Sequence, residues 1–198
     1  MPMRVTAQNL FSTLLVACSF VVSTNVSGQV KFGAIAGFAY NIPKYEIDQG
    51  TQSPDLYGAA IGGYAGLRLQ YDFTTRFSIA SEVSYQVLPY TNKFLTGQLY
   101  PGYITLSVLP TYAVFSKVSI EAGVGSGLTV ISRFDDKNNN DPLILGSLGV
   151  RIPLGKWGLC ARYYHFLRPL YQQTTIRGES TFSSHGIQVG ATYDFFKR

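Results

Sequence analysis

The residues best suited to catalysis in this sequence are a serine and a histidine near its end. Ser183 and His185 stand two positions apart, so their side chains share a face if the segment is a β-strand. A serine beside a histidine is the arrangement that a lipid hydrolase or acyltransferase needs for nucleophilic attack. No carboxylate stands at a suitable spacing from these residues or from His165, and no nucleophile motif surrounds Ser183. We therefore predict that the protein is not an enzyme, with a lipid-modifying enzyme as the alternative.

A second group that could do chemistry is the polar run 135–141. Its alternating side chains Asp136, Asn138 and Asn140 resemble the oxygen ligands that open a calcium-binding loop. The turn glycine of such a loop is missing, and Ser147 stands where its bidentate glutamate would be. We expect a surface loop here, with a weak calcium site as the alternative. The sequence has no Cys/His metal spacing and no glycine-rich phosphate loop, so we predict no cofactor.

Charged residues on the polar side of alternating segments form a third group. They are Arg68, Glu82, Glu121, Arg151 and Arg162. A turn centred on Thr74 and Thr75 would place Arg68 and Glu82 opposite or diagonal to each other on neighbouring strands. A charge enclosed in a narrow interior must be paired, because an isolated one costs several kcal/mol. We predict an ion-pair network that fills the interior of the fold; a polar relay or a small conduit is the alternative.

The elements that would position these charges are long β-strands. Val, Ile, Tyr, Phe and Thr dominate after residue 30, and no segment keeps a 3.6-residue period. Most candidate strands are longer than the ~5–6 residues of soluble strands and reach the ~9–11 that a tilted strand needs to cross a bilayer. The predicted strands are 31–42, 58–72, 77–88, 102–115, 118–131, 143–154, 157–166 and 182–196.

The connections between these strands alternate in length. Tight turns fall at 74–75, 116–117 and 155–156, and long loops at 43–57, 89–101, 132–142 and 167–181. Short turns at one end and long loops at the other are typical of outer-membrane barrels, whose turns are periplasmic. We therefore predict an all-β fold: an eight-stranded antiparallel up-and-down transmembrane β-barrel in the outer membrane, with both termini periplasmic.

The two faces of each strand favour a membrane barrel over a soluble one. One face is apolar, while the other carries mostly Gly, Ser and a few charges. Charged residues are 14% of the chain, against ~25% in ordinary soluble domains, whose outer faces carry abundant Lys and Glu. The polar faces should therefore line a narrow lumen, and a soluble periplasmic ligand-binding barrel is the alternative. Aromatic residues near the strand ends predict two interfacial girdles: Phe73, Phe77, Phe115, Trp157 and Phe195 by the turns, and Tyr40, Tyr85 and Tyr163 by the loops.

The first 28 residues indicate a signal peptide, so we divide the chain into 1–28 and a barrel domain, 29–198. Arg4 precedes an apolar run at 10–22, which is short of the ~20 residues of a membrane-spanning helix. Small residues follow, before a cut ahead of Gln29. Lipidation of Cys18 is the alternative; cleavage would leave Cys160 without a disulfide partner. The net charge of +5 comes from scattered Lys and Arg, so we expect no nucleic-acid partner.

Four segments resemble the small outer-membrane β-barrel proteins of Bacteroidetes-type bacteria, often called PorT-type. They are KFGAIAGFAYN (31–41), GGYAGLRLQYDFTTRFSIASEVSY (62–85), VSIEAGVGSGL (118–128) and GIQVGATYDF (186–195). In the last segment, four residues resemble the C-terminal signal that barrel-assembly machinery reads: Gln188, Gly190, Tyr193 and Phe195. This chain departs from that signal by continuing to Arg198.

This resemblance implies a barrel fold surrounded by outer-membrane lipid, with barrel-assembly machinery as a partner. It implies little about activity. We therefore expect a structural or interaction role, or an accessory role in secretion, through an extracellular or secretion-system protein that contacts the loops.

Overall fold

The computed structural model describes residues 29–47, 57–92, 97–131, 142–168, 171–175 and 178–197. The predicted signal peptide (1–28, with Cys18) and the calcium candidates Asp136, Asn138 and Asn140 lie outside these residues. All regular elements of the described segments are β-strands. Within these segments, no helix has the length and apolarity needed to cross a membrane.

Eight long strands of the described residues close into a barrel. They are β1 (Gln29–Ile47), β2 (Ala60–Asp72), β3 (Phe77–Val87), β4 (Gly102–Phe115), β5 (Val118–Ile131), β6 (Leu143–Leu154), β7 (Trp157–Phe166) and β8 (Gly178–Lys197). Each strand pairs antiparallel with the next, and β1 also pairs with β8, which closes the sheet. The predicted eight-stranded antiparallel up-and-down barrel is confirmed.

The tight turns between β2 and β3, β4 and β5, and β6 and β7 all lie at one end of the barrel, which we call the turn end. In the first, the Thr74 hydroxyl accepts hydrogen bonds from the backbone N–H groups of Arg76 (3.2 Å) and Phe77 (2.9 Å). In the third, Gly155 has a φ of 71°, a left-handed conformation that glycine adopts without steric cost. These turns are therefore specified by local residues, and the opposite end of the barrel is the loop end.

The first and last strands of the barrel, β1 and β8, are longer than the sequence predicts. β1 and β8 stay paired as far as Ile47 and Ser180, so the predicted loops 43–57 and 167–181 are partly strand. A further strand, Tyr171–Thr175, pairs with the start of β8. Pro43 lies in this extension, and the pairing of β1 with β2 ends before it, at Asn41. Beyond that residue β1 has a neighbour on one side only in the described sheet, and proline is tolerated in such an edge strand.

Short strands of the loop end form a separate small sheet. Tyr57–Gly58 pairs with Tyr90–Asn92, which in turn pairs with Gly97–Leu99. The predicted strand 58–72 is therefore divided: Ala59 separates Tyr57–Gly58 from β2. The structure thus joins the loops that precede β2 and β4 over the loop end of the barrel.

Gly186, on the inward face of β8, stands where the neighbouring atoms leave no room for a side chain. A Cβ on Gly186 would overlap the Tyr40 carbonyl oxygen and lie 2.7 Å from the Tyr164 hydroxyl. The outward Gly63 is a matched control, because a Cβ there would meet only the Gly37 carbonyl oxygen, at 3.7 Å.

We expect Gly186→Val to lower the free energy of unfolding by about 2–3 kcal/mol through overpacking, and Gly63→Val by less than about 1 kcal/mol. Urea unfolding of the refolded barrel in detergent measures both. Equal losses in the two variants would contradict the steric explanation.

Candidate functional site: the filled lumen

The centre of the lumen holds an arginine, Arg68, between two glutamates. Arg68 on β2 lies directly opposite Glu82 on β3 in the strand register. Its guanidinium donates one hydrogen bond to Glu82 and another to Glu121 on β5, with an Nη2–Oε1 distance of 2.6 Å. The hairpin therefore supplies the first contact, and closure of the barrel supplies the second.

Arg162 on β7 completes this group from the far wall. Its Nη1 atom lies 2.8 Å from Glu82 Oε2, and its Nη2 atom lies 3.1 Å from Glu121 Oε2. Each carboxylate thus binds both guanidiniums, and each guanidinium binds both carboxylates. We call Arg68, Glu82, Glu121 and Arg162 the charge ring; its side chains are at most 8% exposed. Its formal charges cancel, which a buried ionic group requires.

The structure places Arg151, the fifth predicted charge, nearer the turn end than the charge ring. It donates to Gln70 Oε1 (2.6 Å) and Thr192 Oγ1 (3.0 Å) and lies 3.6 Å from Asp194 Oδ1. Gln70 Oε1 also accepts a hydrogen bond from Arg68 (3.3 Å). Arg151 is therefore joined to the charge ring through Gln70.

A polar vestibule lies between Arg151 and the turn end. This cavity has a volume of about 530 Å³ and is lined by Lys31, Asp72, Arg151 and Asp194, among others. Lys31 Nζ lies 2.6 Å from Asp72 Oδ2. Gln70 and Arg151 line the vestibule on the side of the charge ring.

Neutral polar side chains lie on the loop side of the charge ring. Gln188 donates to Gln86 (3.0 Å), and Gln86 donates to the Thr105 hydroxyl (3.1 Å). The Tyr64 hydroxyl and the Cys160 sulfur lie 3.7 Å apart. The contacts of Gln188 with Gln86 and of Tyr64 with Cys160 cross between strands that are not consecutive, so they continue the filling of the lumen.

An apolar plug closes the lumen at its loop end, a feature that the sequence interpretation missed. Its buried residues are Leu88, Tyr90, Tyr103, Leu143, Leu145, Tyr164, Phe166 and Phe182. The rings of Tyr90 and Phe182 lie 5.0 Å apart, and those of Tyr103 and Phe166 lie 6.1 Å apart. Large apolar residues at inward positions of β4, β6, β7 and β8 were the available signal for it.

The β3–β4 connection supplies part of this plug by folding into the lumen. Asn41 holds it there by donating a hydrogen bond to the Pro89 carbonyl oxygen (3.3 Å). The same side chain accepts hydrogen bonds from the hydroxyls of Tyr164 (3.2 Å) and Ser184. The plug is thus tied to β1, β7 and β8 as well as packed between them.

The outward face of the barrel is apolar on every strand. Large hydrophobic side chains on it are exposed, Ile61, Val124 and Leu148 among them. Among the strand side chains that the structure describes, Lys44 near the loop end of β1 is the only charged one at an outward position. The predicted girdle residues are exposed at the two ends: Phe73, Phe77, Phe115, Trp157, Phe195, Tyr40, Tyr85 and Tyr163.

The remaining candidates lie in the wall. Ser183, His185 and His165 point outward near the loop end. The four residues of the candidate assembly signal lie on β8: Gln188 and Gly190 face the lumen, and Tyr193 and Phe195 face outward. The Tyr193 ring lies 4.7 Å from that of Trp157. No group of three or more His, Cys, Asp or Glu residues in the described segments could hold a metal ion.

Comparison with known proteins relates the chain to solved β-barrel structures. No protein-family model and no curated protein matches it. Neisserial surface protein A is 15% identical, with a TM-score of 0.51 over 83% of this chain and 97% of that one. Ail, the attachment invasion locus protein of Yersinia pestis, is 15% identical (TM-score 0.48; 85% and 99% covered). OprG, an outer membrane protein of Pseudomonas aeruginosa, is 12% identical (TM-score 0.43; 85% and 95% covered).

These similarities concern the fold. The chain has the architecture of small outer-membrane β-barrels such as Neisserial surface protein A. The narrower resemblance to PorT-type proteins stays a prediction, because no family model matches.

Proposed function

We propose that this chain is an integral outer-membrane barrel with a closed lumen, which acts without catalysis through its loops. The observation that carries this proposal is the apolar outward face of the described barrel wall, on which Lys44, near the loop end, is the one charged side chain. Soluble monomers rarely expose contiguous apolar patches larger than a few hundred Å². Here the exposed apolar residues extend over all eight strands, and the hydrocarbon core of a surrounding lipid bilayer explains them best.

The dimensions of the wall agree with a bilayer. β6 has 12 residues and β7 has 10, close to the ~9–11 that a tilted strand needs to cross. Aromatic side chains such as Trp157 and Tyr163 are exposed near the two ends, where amphipathic rings favour the membrane interfaces. We infer an orientation with the tight turns and both termini in the periplasm, and the long loops outside the cell.

The filled lumen favours a role for the loops over transport. An eight-stranded barrel leaves an interior that side chains just fill, and here the charge ring and the apolar plug occupy it. We therefore infer a structural or interaction role, with an extracellular protein or a secretion-system component as the partner of the loops.

Catalysis has little support among the described residues. Ser183 and His185 share the outward face, but no carboxylate of the described wall stands with them there.

We also infer that Gln188, Gly190, Tyr193 and Phe195 act as the assembly signal, as their spacing suggests.

Cell fractionation followed by gel electrophoresis with and without heating tests the proposal. We expect the protein in the outer-membrane fraction, with a folded band that shifts on boiling. In planar bilayers, we expect the purified barrel to give no large open-pore currents. A soluble periplasmic protein that shows no shift would contradict the membrane barrel, and large steady currents would contradict the closed lumen.

A further inference from the structure

The chain has two histidines, and the fold brings them together on its outward face. His165 on β7 and His185 on β8 are directly opposite each other in the strand register. Their ring centroids lie 6.1 Å apart. Both stand near the loop end of the wall, where the apolar surface meets the loops.

Lys44 lies beside this pair. It pairs with Ser183 across the β1–β8 ladder, and its neighbour on the same face, Ile42, pairs with His185. Lys44 is therefore the diagonal neighbour of His185, within reach of a long side chain. The one charged side chain on the described outward wall thus stands beside His185, which in turn pairs with His165; we call Lys44, His165 and His185 the basic patch.

A groove in the outward wall begins at this patch. Its floor is low because Gly146 and Ala122 stand between larger side chains, and its lining also includes Val108, Pro110, Val124, Leu148, Tyr163 and His165. In the strand registers, His165 pairs with Gly146, and Gly146 pairs with Val124. Because barrel strands are tilted by ~35–45°, a row that crosses them is inclined to the membrane plane. The groove therefore runs obliquely from the basic patch at the loop end toward the middle of the wall.

We propose that the basic patch and this groove bind one lipid with an anionic phosphate headgroup from the leaflet at the loop end. This proposal rests on the proposed membrane location. The phosphate lies on His165, His185 and Lys44, and an acyl chain lies along Gly146 and Ala122. The polar end of the groove thus carries donors and a positive charge, and the rest of it is apolar, which matches a lipid with an anionic headgroup.

The geometry of the histidine pair suits a phosphate. A neutral imidazole donates one N–H, and an N–H···O hydrogen bond spans ~2.9 Å between heavy atoms. Two rings 6.1 Å apart can therefore donate to different oxygens of a single phosphate. Lys44 adds a positive charge, and charge-assisted hydrogen bonds are the stronger ones.

Native mass spectrometry of the barrel released from nanodiscs tests this site. The nanodiscs contain equal amounts of dioleoyl phosphatidic acid and dioleoyl phosphatidylcholine, so the acyl chains are matched and only the headgroups differ. We expect the wild-type barrel to retain phosphatidic acid preferentially. Inorganic phosphate at the same concentration should not displace it, because it lacks the acyl chain that occupies the groove.

Two variants separate the headgroup contact from the groove. His165→Phe with His185→Phe removes the N–H donors and keeps the rings, and we expect the preference to fall about tenfold. Gly146→Leu fills the groove and should lower the preference for phosphatidic acid to a similar extent. Its new Cβ would meet only Leu167, at 3.8 Å, so the wall should fold normally. Gly63→Leu, on β2 away from the groove, is the matched control and should keep the wild-type preference.

The outcomes distinguish the site from the barrel itself. A wild-type barrel with no preference for phosphatidic acid, or a preference that both variants keep, would overturn the lipid site. Dimers that Gly146→Leu abolishes would also overturn it, since the groove would then bind a second copy. The boiling-dependent gel shift of each variant is measured in parallel; its loss in the wild type would contradict the proposed membrane barrel instead.

Discussion

Glu121→Gln should lower the free energy of unfolding of this barrel by about 3 kcal/mol or more, because it removes one charge from a buried ionic group. The substitution keeps the shape of the side chain. It leaves Arg68 and Arg162 facing Glu82 as their one remaining carboxylate in the charge ring, so the ring acquires a net positive charge. Urea unfolding of the refolded barrel, followed by the fluorescence of Trp157, the one tryptophan of the chain, measures the loss.

A more exposed ion pair of the same lumen is the control. The side chains of Lys31 and Asp72 are 21% and 18% exposed in the vestibule. Asp72→Asn should therefore cost about 1 kcal/mol or less, as solvent screens the pair. If Glu121→Gln lost no more unfolding free energy than Asp72→Asn, this would contradict the interpretation that paired charges stabilise the lumen.

A double variant separates charge balance from side-chain packing. Arg68→Gln combined with Glu121→Gln restores a neutral ring of one arginine and one glutamate. It should be less destabilised than the sum of the two single variants, and the difference is the coupling between them. Strict additivity would mean that Arg68 and Glu121 are stabilised independently of each other.

The second large effect concerns the outward wall. Val189 lies midway along the outward positions of β8, and its side chain is 54% exposed. In a soluble barrel, Val189→Arg would change the free energy of unfolding by no more than ~0.5 kcal/mol, as exposed substitutions usually do. In a bilayer, an arginine near the midplane on the lipid face of a barrel costs about 2–4 kcal/mol.

Unfolding of the Val189→Arg barrel in phospholipid vesicles measures this cost. Thr75→Arg is the control, because Thr75 is exposed in a tight turn, where an arginine would remain in water at the membrane surface. We expect Thr75→Arg to keep the wild-type stability. Equal stability of the two variants would favour the soluble barrel over the membrane barrel.

Local patterns were enough to predict the strands, their alternation and their turns. The physical reason is that period-two alternation and turn residues act over a few positions, which one sequence displays. The position of Arg68 opposite Glu82 follows from the same locality, since the two strands are joined by a tight turn. The predicted ends of β1 and β8 were less accurate, because pairing of these two strands with each other extends them beyond the segments with clear alternation.

Apart from the pairing of Arg68 with Glu82, tertiary structure decided which inward residues meet. Alternation put Glu121, Arg151 and Arg162 on the lumen side, but the register between distant strands determines their heights. Closure through β1 and β8 brought Arg162 to the two glutamates and placed Arg151 with Gln70 and Asp194. The predicted network lacked this division into layers, since no local pattern encodes the stagger of a closed barrel.

The apolar plug and the basic patch also form only through contacts between segments that are distant in the sequence. Leu88 was predicted as the last residue of a strand and Tyr90 as part of a loop. Contact with Phe182 and its neighbours draws this segment into the lumen. His165 and His185 are separated by a long connection in the sequence, yet they are paired across one ladder. The sequence by itself determined a strand-built barrel with one apolar and one polar face; the closed register decided which side chains share a layer, because only closure brings non-adjacent strands together.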